Sequence, residues 1–286
     1  MEDSHISWTD HTHNIWIGCE HAPASDDPAD RRTSPGCDNC YAEAIDGRFG
    51  GGHWGPGTPR RFLSDAYWRK PISWNARARK NGVRERVFCS SLADWAEIRD
   101  GEVGAAMDRE RARLWKLIPA TPWLDWLLLS KRPQNWRDRL LLPWHHDPWP
   151  NVWLGVTGEN TEQLLRRVSI LRRTPAAKRF ISAEPLLEHI PAEVWDDALG
   201  IGRTFGADYP EINWLIIGDE SGPHRRPAQV DWYRTAREAA LRHGVALHVK
   251  QWNGPTSPGM HGDGATGKGK IHLPILDGKR WDQIPR

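Results

Sequence analysis

The sequence predicts an α/β chain folded as a single closed or partial (β/α) barrel, TIM-barrel-like in plan. Three observations predict it. Short, near-continuous apolar runs recur along the chain, most of them followed by a helical stretch, the pattern of a parallel sheet buried on both faces. About seven such units fit a length that is ordinary for one barrel. The runs end in charged or hydroxyl residues, and a barrel carries its chemistry at the carboxyl ends of its strands.

Taken in order, the first extended stretch is Asn14-Ile15-Trp16-Ile17-Gly18, read as the first strand and ending at Cys19. Residues 21–33 are rich in Pro, Asp and Arg without apolar periodicity, which describes a surface loop. From Cys40 the run Tyr41-Ala42-Glu43-Ala44-Ile45 turns helical and stops at Gly50-Gly51-Gly52. Residues 53–86 read as a long connection. The strand grammar then begins. Arg86-Val87-Phe88-Cys89 ends in Ser90-Ser91-Leu92-Ala93-Asp94, and Trp126-Leu127-Leu128-Leu129 in Ser130-Lys131-Arg132-Pro133. Val152-Trp153-Leu154-Gly155-Val156 ends in Thr157-Gly158-Glu159-Asn160, and Arg179-Phe180-Ile181 in Ser182-Ala183-Glu184-Pro185. Asn213-Trp214-Leu215-Ile216-Ile217 ends in Gly218-Asp219-Glu220-Ser221, and Val245-Ala246-Leu247-His248-Val249 in Lys250-Gln251-Trp252. Between strands, Asn160 and Gln163 make an N-cap pair, Leu164, Leu165, Val168 and Leu171 form one apolar stripe, and Pro175 closes it. Asp231 opens a helix that Gly244 ends. The barrel domain is assigned to residues 1–252, and residues 253–286 to a loop and short hairpin packed on it.

The balance of 39 Lys+Arg against 37 Asp+Glu selects no partner by overall charge. The start Met1-Glu2-Asp3-Ser4 lacks the basic and apolar regions of a signal peptide. No apolar run reaches membrane-spanning length; the longest candidate, around Trp123–Leu129, is cut by Asp125. Four unevenly placed cysteines do not make a disulfide framework in a chain this long, so a reducing, cytoplasmic setting is expected. Residues 53–86 interleave Arg60, Arg61, Arg69, Lys70, Arg77, Arg79, Lys80, Arg84 and Arg86 with Trp54, Phe62, Tyr67, Trp68 and Trp74. That mixture suits a nucleic-acid surface, cations for phosphates and rings for unpaired bases. It equally suits a solvated loop whose tryptophans anchor it to the core.

Three of the four cysteines, Cys19, Cys37 and Cys40, stand in the pattern C-x17-C-x2-C. A C-x2-C pair puts two thiolates on one turn, and Cys19 can fold back as a third ligand. Spacing alone leaves two metals open. Zinc would take a fourth ligand from His11, His13 or His21; a [4Fe–4S] cluster, normally held by four cysteines, would keep one iron open for chemistry. Three unrelated thiols are the remaining reading. The strand ends favour the open cluster, because Lys131, Glu159, Glu184, Glu220 and Lys250 would form a mixed-charge ring at the barrel mouth. Cys89, inside a strand, reads as core.

Taken in order, Gly18-Cys19, Ser34-Pro35-Gly36-Cys37-Asp38-Asn39-Cys40-Tyr41-Ala42-Glu43, Trp68-Arg69-Lys70-Pro71, Val87-Phe88-Cys89-Ser90-Ser91-Leu92-Ala93-Asp94 and Leu129-Ser130-Lys131-Arg132-Pro133 carry a resemblance. Val152-Trp153-Leu154-Gly155-Val156, Glu184-Pro185-Leu186-Leu187, Glu220-Ser221-Gly222-Pro223 and Lys250-Gln251-Trp252 continue it. These segments resemble the phage-associated three-cysteine-motif family, whose members look like radical S-adenosylmethionine enzymes. The resemblance implies a barrel of the radical S-adenosylmethionine type. It implies a [4Fe–4S] cluster on Cys19, Cys37 and Cys40, with S-adenosylmethionine at the open iron. It also implies an electron donor of flavodoxin or ferredoxin type. By position it assigns Ser90, Ser91 and Asp94 to the methionyl end of the cofactor, and Thr157, Glu159 and Asn160 to its ribose. Glu184 and Glu220 fall to ribose, adenine or substrate, and Lys131, Arg132 and Lys250 to an anionic substrate group. The substrate implied is a nucleic-acid base or nucleotide, such as a hypermodified thymine of phage DNA. Two departures stand out: the usual C-x3-C-x2-C spacing is stretched, with Asn39 rather than an aromatic before Cys40, and the relatives' Gly-Gly-Glu reads Gly218-Asp219-Glu220. Two rival functions remain. One is a zinc-dependent nucleic-acid-binding module. The other is a hydrolase with Glu159, Glu184 and Glu220 around a divalent metal.

Overall fold

The computed structural model describes residues 2–27, 29–138, 140, 142–144, 147–200, 211–222, 224–254, 259–262 and 271–285. The elements begin with β1 (His11–Thr12), β2 (Trp16–Ile17), a 3-10 turn at Pro35–Cys37, α1 (Tyr41–Arg48), β3 (Arg61–Phe62), α2 (Asp65–Trp68) and α3 (Lys70–Asn81). Then come β4 (Glu85–Cys89), α4 (Gly101–Ala120), β5 (Leu124–Ser130), α5 (Asn135–Asp138), β6 (Val152–Thr157) and α6 (Thr161–Arg173). They are followed by β7 (Lys178–Ala183), α7 (Ala192–Leu199), β8 (Trp214–Gly218), α8 (Val230–Arg242) and β9 (Ala246–Trp252). Four two-residue strands end the chain: β10 (Met260–His261), β11 (Ile271–His272), β12 (Ile275–Leu276) and β13 (Lys279–Arg280).

The main sheet runs β1-β4-β5-β6-β7-β8-β9-β11, parallel throughout except for antiparallel β11 at its edge. It curls into a half-barrel whose two edge strands do not meet, so the chain takes the partial form of the two that the sequence allows. The expected first strand needs correction. The barrel opens with β1, which sets His11 against Val87 and Thr12 against Phe88. The run through Trp16–Ile17 leaves the sheet and pairs with β3 in a separate antiparallel ribbon. It is apolar because Ile15 and Trp16 pack into the helical layer, not because they lie in the sheet.

Residues 53–86 are likewise more ordered than a connection. Pro71, Trp74 and Ala78 fall on one buried face of α3, and Gly82, at φ +66, ends the helix in the left-handed conformation. Trp54, Trp68 and Trp74 are buried and anchor the segment to the fold, while Tyr67 is half-buried and Phe62 exposed. The expected cap of α6 is present: Asn160 Oδ1 accepts from the Gln163 amide at 2.9 Å. Of its stripe, Leu164, Val168 and Leu171 are buried while Leu165 is exposed.

Strand pleating divides the core in two. Trp8, Phe88, Leu127, Trp153, Phe180, Trp214 and Ile216 fill the concave interior. Alternate residues, among them Val87, Trp126, Leu154, Ile181, Leu215 and Leu247, face the helices. Each large side chain so buried contributes about 1.5–3 kcal/mol. The interior is tight enough that a Cβ on Gly155 would stand 2.2 Å from the Phe180 ring. The same period of two carries Leu129, Thr157, Ser182 and Lys250 onto the concave side at the carboxyl ends of their strands.

Beyond β9, β11 extends the main sheet and β10, β12 and β13 form a small sheet of their own. Asp277 ties that sheet to α8 through Arg234 and Arg237, which hold its carboxyl down at about 2. The rest of the expected tail, residues 255–258, 263–270 and 286, lies outside the described residues, as does Pro223. Among the described residues no helix is long and apolar enough to cross a membrane.

Candidate active site

A cleft of about 820 Å³, the open solvent at its mouth included, occupies the carboxyl end of the half-barrel. Cys19, Cys37 and Cys40 all line it, and all are free thiols. The seventeen-residue gap between the first two closes through local pairing. Ser34 N donates to Ala22 O at 2.7 Å and Ala24 N to Arg32 O at 3.0 Å, with Pro23 bridging Thr33. The intervening residues therefore form a stemmed excursion whose ends meet beside the thiols.

Each cysteine arrives on a different device. Cys19 follows β2, its amide donating to His53 O at 3.2 Å and its carbonyl accepting from Gly55 N at 2.9 Å. Gly18 precedes it at φ +114, where a Cβ would lie 2.3 Å from His53 O, so only glycine allows that approach. Cys37 ends the 3-10 turn, and Cys40 is the N-cap of α1. Burial pushes the Cys19 thiol up to about 12 against the pull of Arg132, whose Nη1 lies 3.4 Å from the sulfur. Burial also raises Cys37, against Lys131. Metal binding would have to displace those protons.

Of the expected site residues, Ser90, Ser91, Asp94, Lys131, Thr157 and Glu184 line the cleft with the thiols, as do Arg132 and Lys250. Glu184 pairs with Lys250 at 2.8 Å, and Ser182 Oγ donates to it at 3.3 Å. A Cβ at Gly218 would come within 2.8 Å of this carboxylate. Asp94 is engaged by protein donors: Ser130 Oγ at 2.7 Å, Lys131 N at 3.0 Å and Arg132 Nη1 at 3.1 Å. Arg132 also donates to Glu20 O, so its guanidinium is committed beside Cys19. Ser91 Oγ bonds Asn14.

Three expected residues do not reach the cleft wall. Glu159 is fully buried behind the Cys37 turn, 2.6 Å from Arg167 Nη1. Burial would raise its carboxyl, but Arg167, Lys131 and Ser34 outweigh that and leave it below the ordinary range. Asn160 spends its side chain as the α6 cap. Glu220 pairs with Arg226 and accepts from Asn39 Nδ2 at 3.0 Å. The hydrolase reading thus loses its carboxylate trio, since only Glu184 faces the cleft.

The zinc reading loses two of its three histidines. His11 stacks on Trp74 and bonds Glu85, while His13 lies among Tyr67, Trp68 and Trp126. Only His21 lines the cleft, its Nε2 3.0 Å from Glu43. Among the described residues no three His, Cys, Asp or Glu side chains converge on one ion-sized point. Three thiols lining one cavity are the donor set of a cluster that keeps one iron open, and that is the extent of the fit.

Residues missed in the sequence include Glu97, Arg60 and Arg167. Arg167 carried a signal: it falls on the apolar stripe of α6 with Leu164, Val168 and Leu171, where a cation has no partner on its own helix face. Residues 3–285 match the family described as "Protein of unknown function (DUF5131)". The chain belongs to that family. No curated protein matches this DUF5131 chain. Among solved structures it is similar to two variants of spore photoproduct lyase, one with a cysteine replaced by serine and one with a tyrosine replaced by phenylalanine. Identity is 14% in both, over 96% of this chain and 71% of the other, with TM-scores of 0.47 and 0.46. That is a distant likeness of layout.

Proposed function

We propose that this DUF5131 chain is a radical S-adenosylmethionine enzyme, with Cys19, Cys37 and Cys40 holding a [4Fe–4S] cluster. One observation carries the reading: three cysteines from separate devices line one cleft at the carboxyl ends of a half-barrel, and strand-end polar groups line the remainder. When bound, such a cluster with S-adenosylmethionine supplies one-electron cleavage of the sulfonium and a 5′-deoxyadenosyl radical for hydrogen abstraction. The chain's own work is binding and exclusion. Ser90, Ser91, Thr157 and Ser182 present hydroxyl groups to the cofactor, and the concave wall of Trp8, Phe88 and Leu129 keeps water from the interior side. Lys131 is the cation for an anionic substrate group, and the Glu184–Lys250 pair can hold a proton or orient a polar substrate.

The substrate class proposed is a nucleic-acid base or nucleotide, with phage DNA as the context suggested by the motif resemblance. Exposed Arg69, Lys70, Arg79 and Lys80, on or beside a helix α3 that has no acidic residue, support a polyanionic partner. Reducing equivalents would come from a flavodoxin or ferredoxin type protein. Anaerobic reconstitution tests the core of the reading. Wild type and Cys89→Ser should bind about four irons and release 5′-deoxyadenosine on reduction, while Cys37→Ser should do neither. A colourless zinc protein, or full iron loading of Cys37→Ser, overturns it.

A further inference from the structure

We propose that Glu97, Glu159 and Glu220 are positioning residues, each pairing with an arginine to fix the segment that carries one cysteine of the trio. The assignment rests on the reading of those cysteines as the metal-binding set. Nothing in the motif spacing announced it, since two of these carboxylates looked like ligands.

The three pairs share one construction: the carboxylate takes a donor close to the cysteine, and the guanidinium takes an acceptor from the same segment or, at Cys19, from the backbone paired with it. At Cys37, Glu159 Oε1 accepts from the Ser34 hydroxyl and from Gly36 N at 3.2 Å. Arg167 meanwhile donates to Ser34 Oγ at 2.8 Å. The approach is close, because a Cβ on Gly36 would stand 3.1 Å from the Glu159 carboxylate. At Cys19, Glu97 Oε1 accepts from Glu20 N at 3.1 Å. Its partner Arg60 donates to His53 O at 3.1 Å, the carbonyl that also receives the Cys19 amide. At Cys40, Glu220 Oε2 accepts from Asn39 Nδ2 at 3.0 Å, while Arg226 donates to Pro35 O at 2.7 Å and to Asp38 at 3.2 Å.

Two of the pairs, Glu159–Arg167 and Arg60–Glu97, are almost wholly withdrawn from water. Such pairs are weak sources of stability, but removing one partner leaves an uncompensated buried charge, so their geometry is held rigidly. Groups of this kind orient ligands through the hydrogen bonds behind them. These three carboxylates thus bind the protein to itself and leave the cleft wall to hydroxyls, Lys131, the Asp94–Arg132 pair and the Glu184–Lys250 pair.

The test reads each thiol separately in metal-free, full-length protein, by iodoacetamide labelling and mass spectrometry. Glu159→Gln should speed labelling of Cys37 by about tenfold or more, the consequence of losing a charge-assisted buried contact. Glu97→Gln should do the same at Cys19 and Glu220→Gln at Cys40. In Glu159→Gln and Glu97→Gln the two unmatched thiols should stay within about threefold of wild type, and in Glu220→Gln only Cys19 should, because Arg226 also holds Pro35 and Asp38 beside Cys37. Ser34→Ala, which leaves the Glu159–Arg167 pair intact, should reproduce the Cys37 effect in milder form should Glu159→Gln fold poorly. Equal acceleration of all three thiols, or none at the matched thiol, overturns the proposal. Iron-loaded Glu159→Gln should also change the reduced-cluster EPR spectrum, and an unchanged spectrum would count against it. A wild type that binds no iron yet shows the matched labelling pattern defeats the cluster reading and leaves the positioning roles standing.

Discussion

Acid should destabilise this protein through His13, and the size of the effect follows from its surroundings. The ring is fully buried, stacked on Tyr67 at 4.8 Å, with edge contacts to Trp68 at 4.9 Å and Trp126 at 5.7 Å. Among the described residues neither ring nitrogen has a hydrogen-bond partner. Burial lowers its pKa from an ordinary 6.5 to about 3, with a smaller push from nearby positive charge. His248, held by Ser7 at 2.8 Å, is lowered to about 3 in the same way. Between those two values the unfolded chain carries a proton on each histidine that the folded chain refuses. Stability therefore falls as pH drops through 6.5 and keeps falling until the folded pKa is reached.

At pH 5 the loss is about 2 kcal/mol for each histidine relative to pH 7.5, taking 1.36 kcal/mol per pH unit below the unfolded pKa. His13→Phe keeps an aromatic ring in an aromatic cage and removes one titration. Urea midpoints of metal-free protein at the two pH values should show wild type losing about 2 kcal/mol more than the variant. Equal losses would refute the burial argument. The variant also bears on the metal. Because His13 lies away from the cleft, His13→Phe should load iron as wild type does. Loss of metal in a variant that remains folded would mean that the histidine is a ligand after all.

Two further outcomes can be checked directly. Arg132→Met removes a guanidinium 3.4 Å from Cys19 Sγ, and should lower the reduction potential of the loaded protein in a spectroelectrochemical titration; an unchanged or higher potential would show that this cation does not tune the site. Replacing residues 24–32 with a two-glycine turn should keep iron binding, because the Ala22–Ser34 stem already joins the ends. A variant that folds but binds no iron would show that the excursion itself builds the site.

The parallel strands and their helices were legible because burial on both faces leaves a continuous apolar run and the helices carry their own caps. Asn160 and Gly244 mark boundaries by local chemistry alone. The run at Trp16–Ile17 misled for the same reason: hydrophobicity reports burial and does not say against which layer. β1 was missed because two residues, His11 and Thr12, are too short and too polar to announce a strand; their place is set by register with β4. In residues 53–86 the basic residues hid the Pro71-Trp74-Ala78 spacing that defines α3.

The site divides along a similar line. A residue whose role follows from strand pleat is readable: Thr157, Ser182 and Lys250 reach the cleft on that principle, and Glu184, the first residue beyond β7, still faces it. One residue further along, past the strand end, the pleat no longer dictates direction, and hydrogen bonding to the cysteine loop decides it. Glu159 and Glu220 turn away for that reason, towards guanidinium groups that no local pattern links to them. The arrangement has an electrostatic logic. The proposed thiolate-bound cluster would bring negative charge into the cleft, so carboxylates facing it would weaken binding unless neutralised. Here the carboxylates beside the cysteines are each covered by an arginine, Glu184 is covered by Lys250, and Arg132 points its charge at Cys19. Stripping one guanidinium therefore costs twice: it loosens the loop and turns a neutralised carboxylate into a repulsive one.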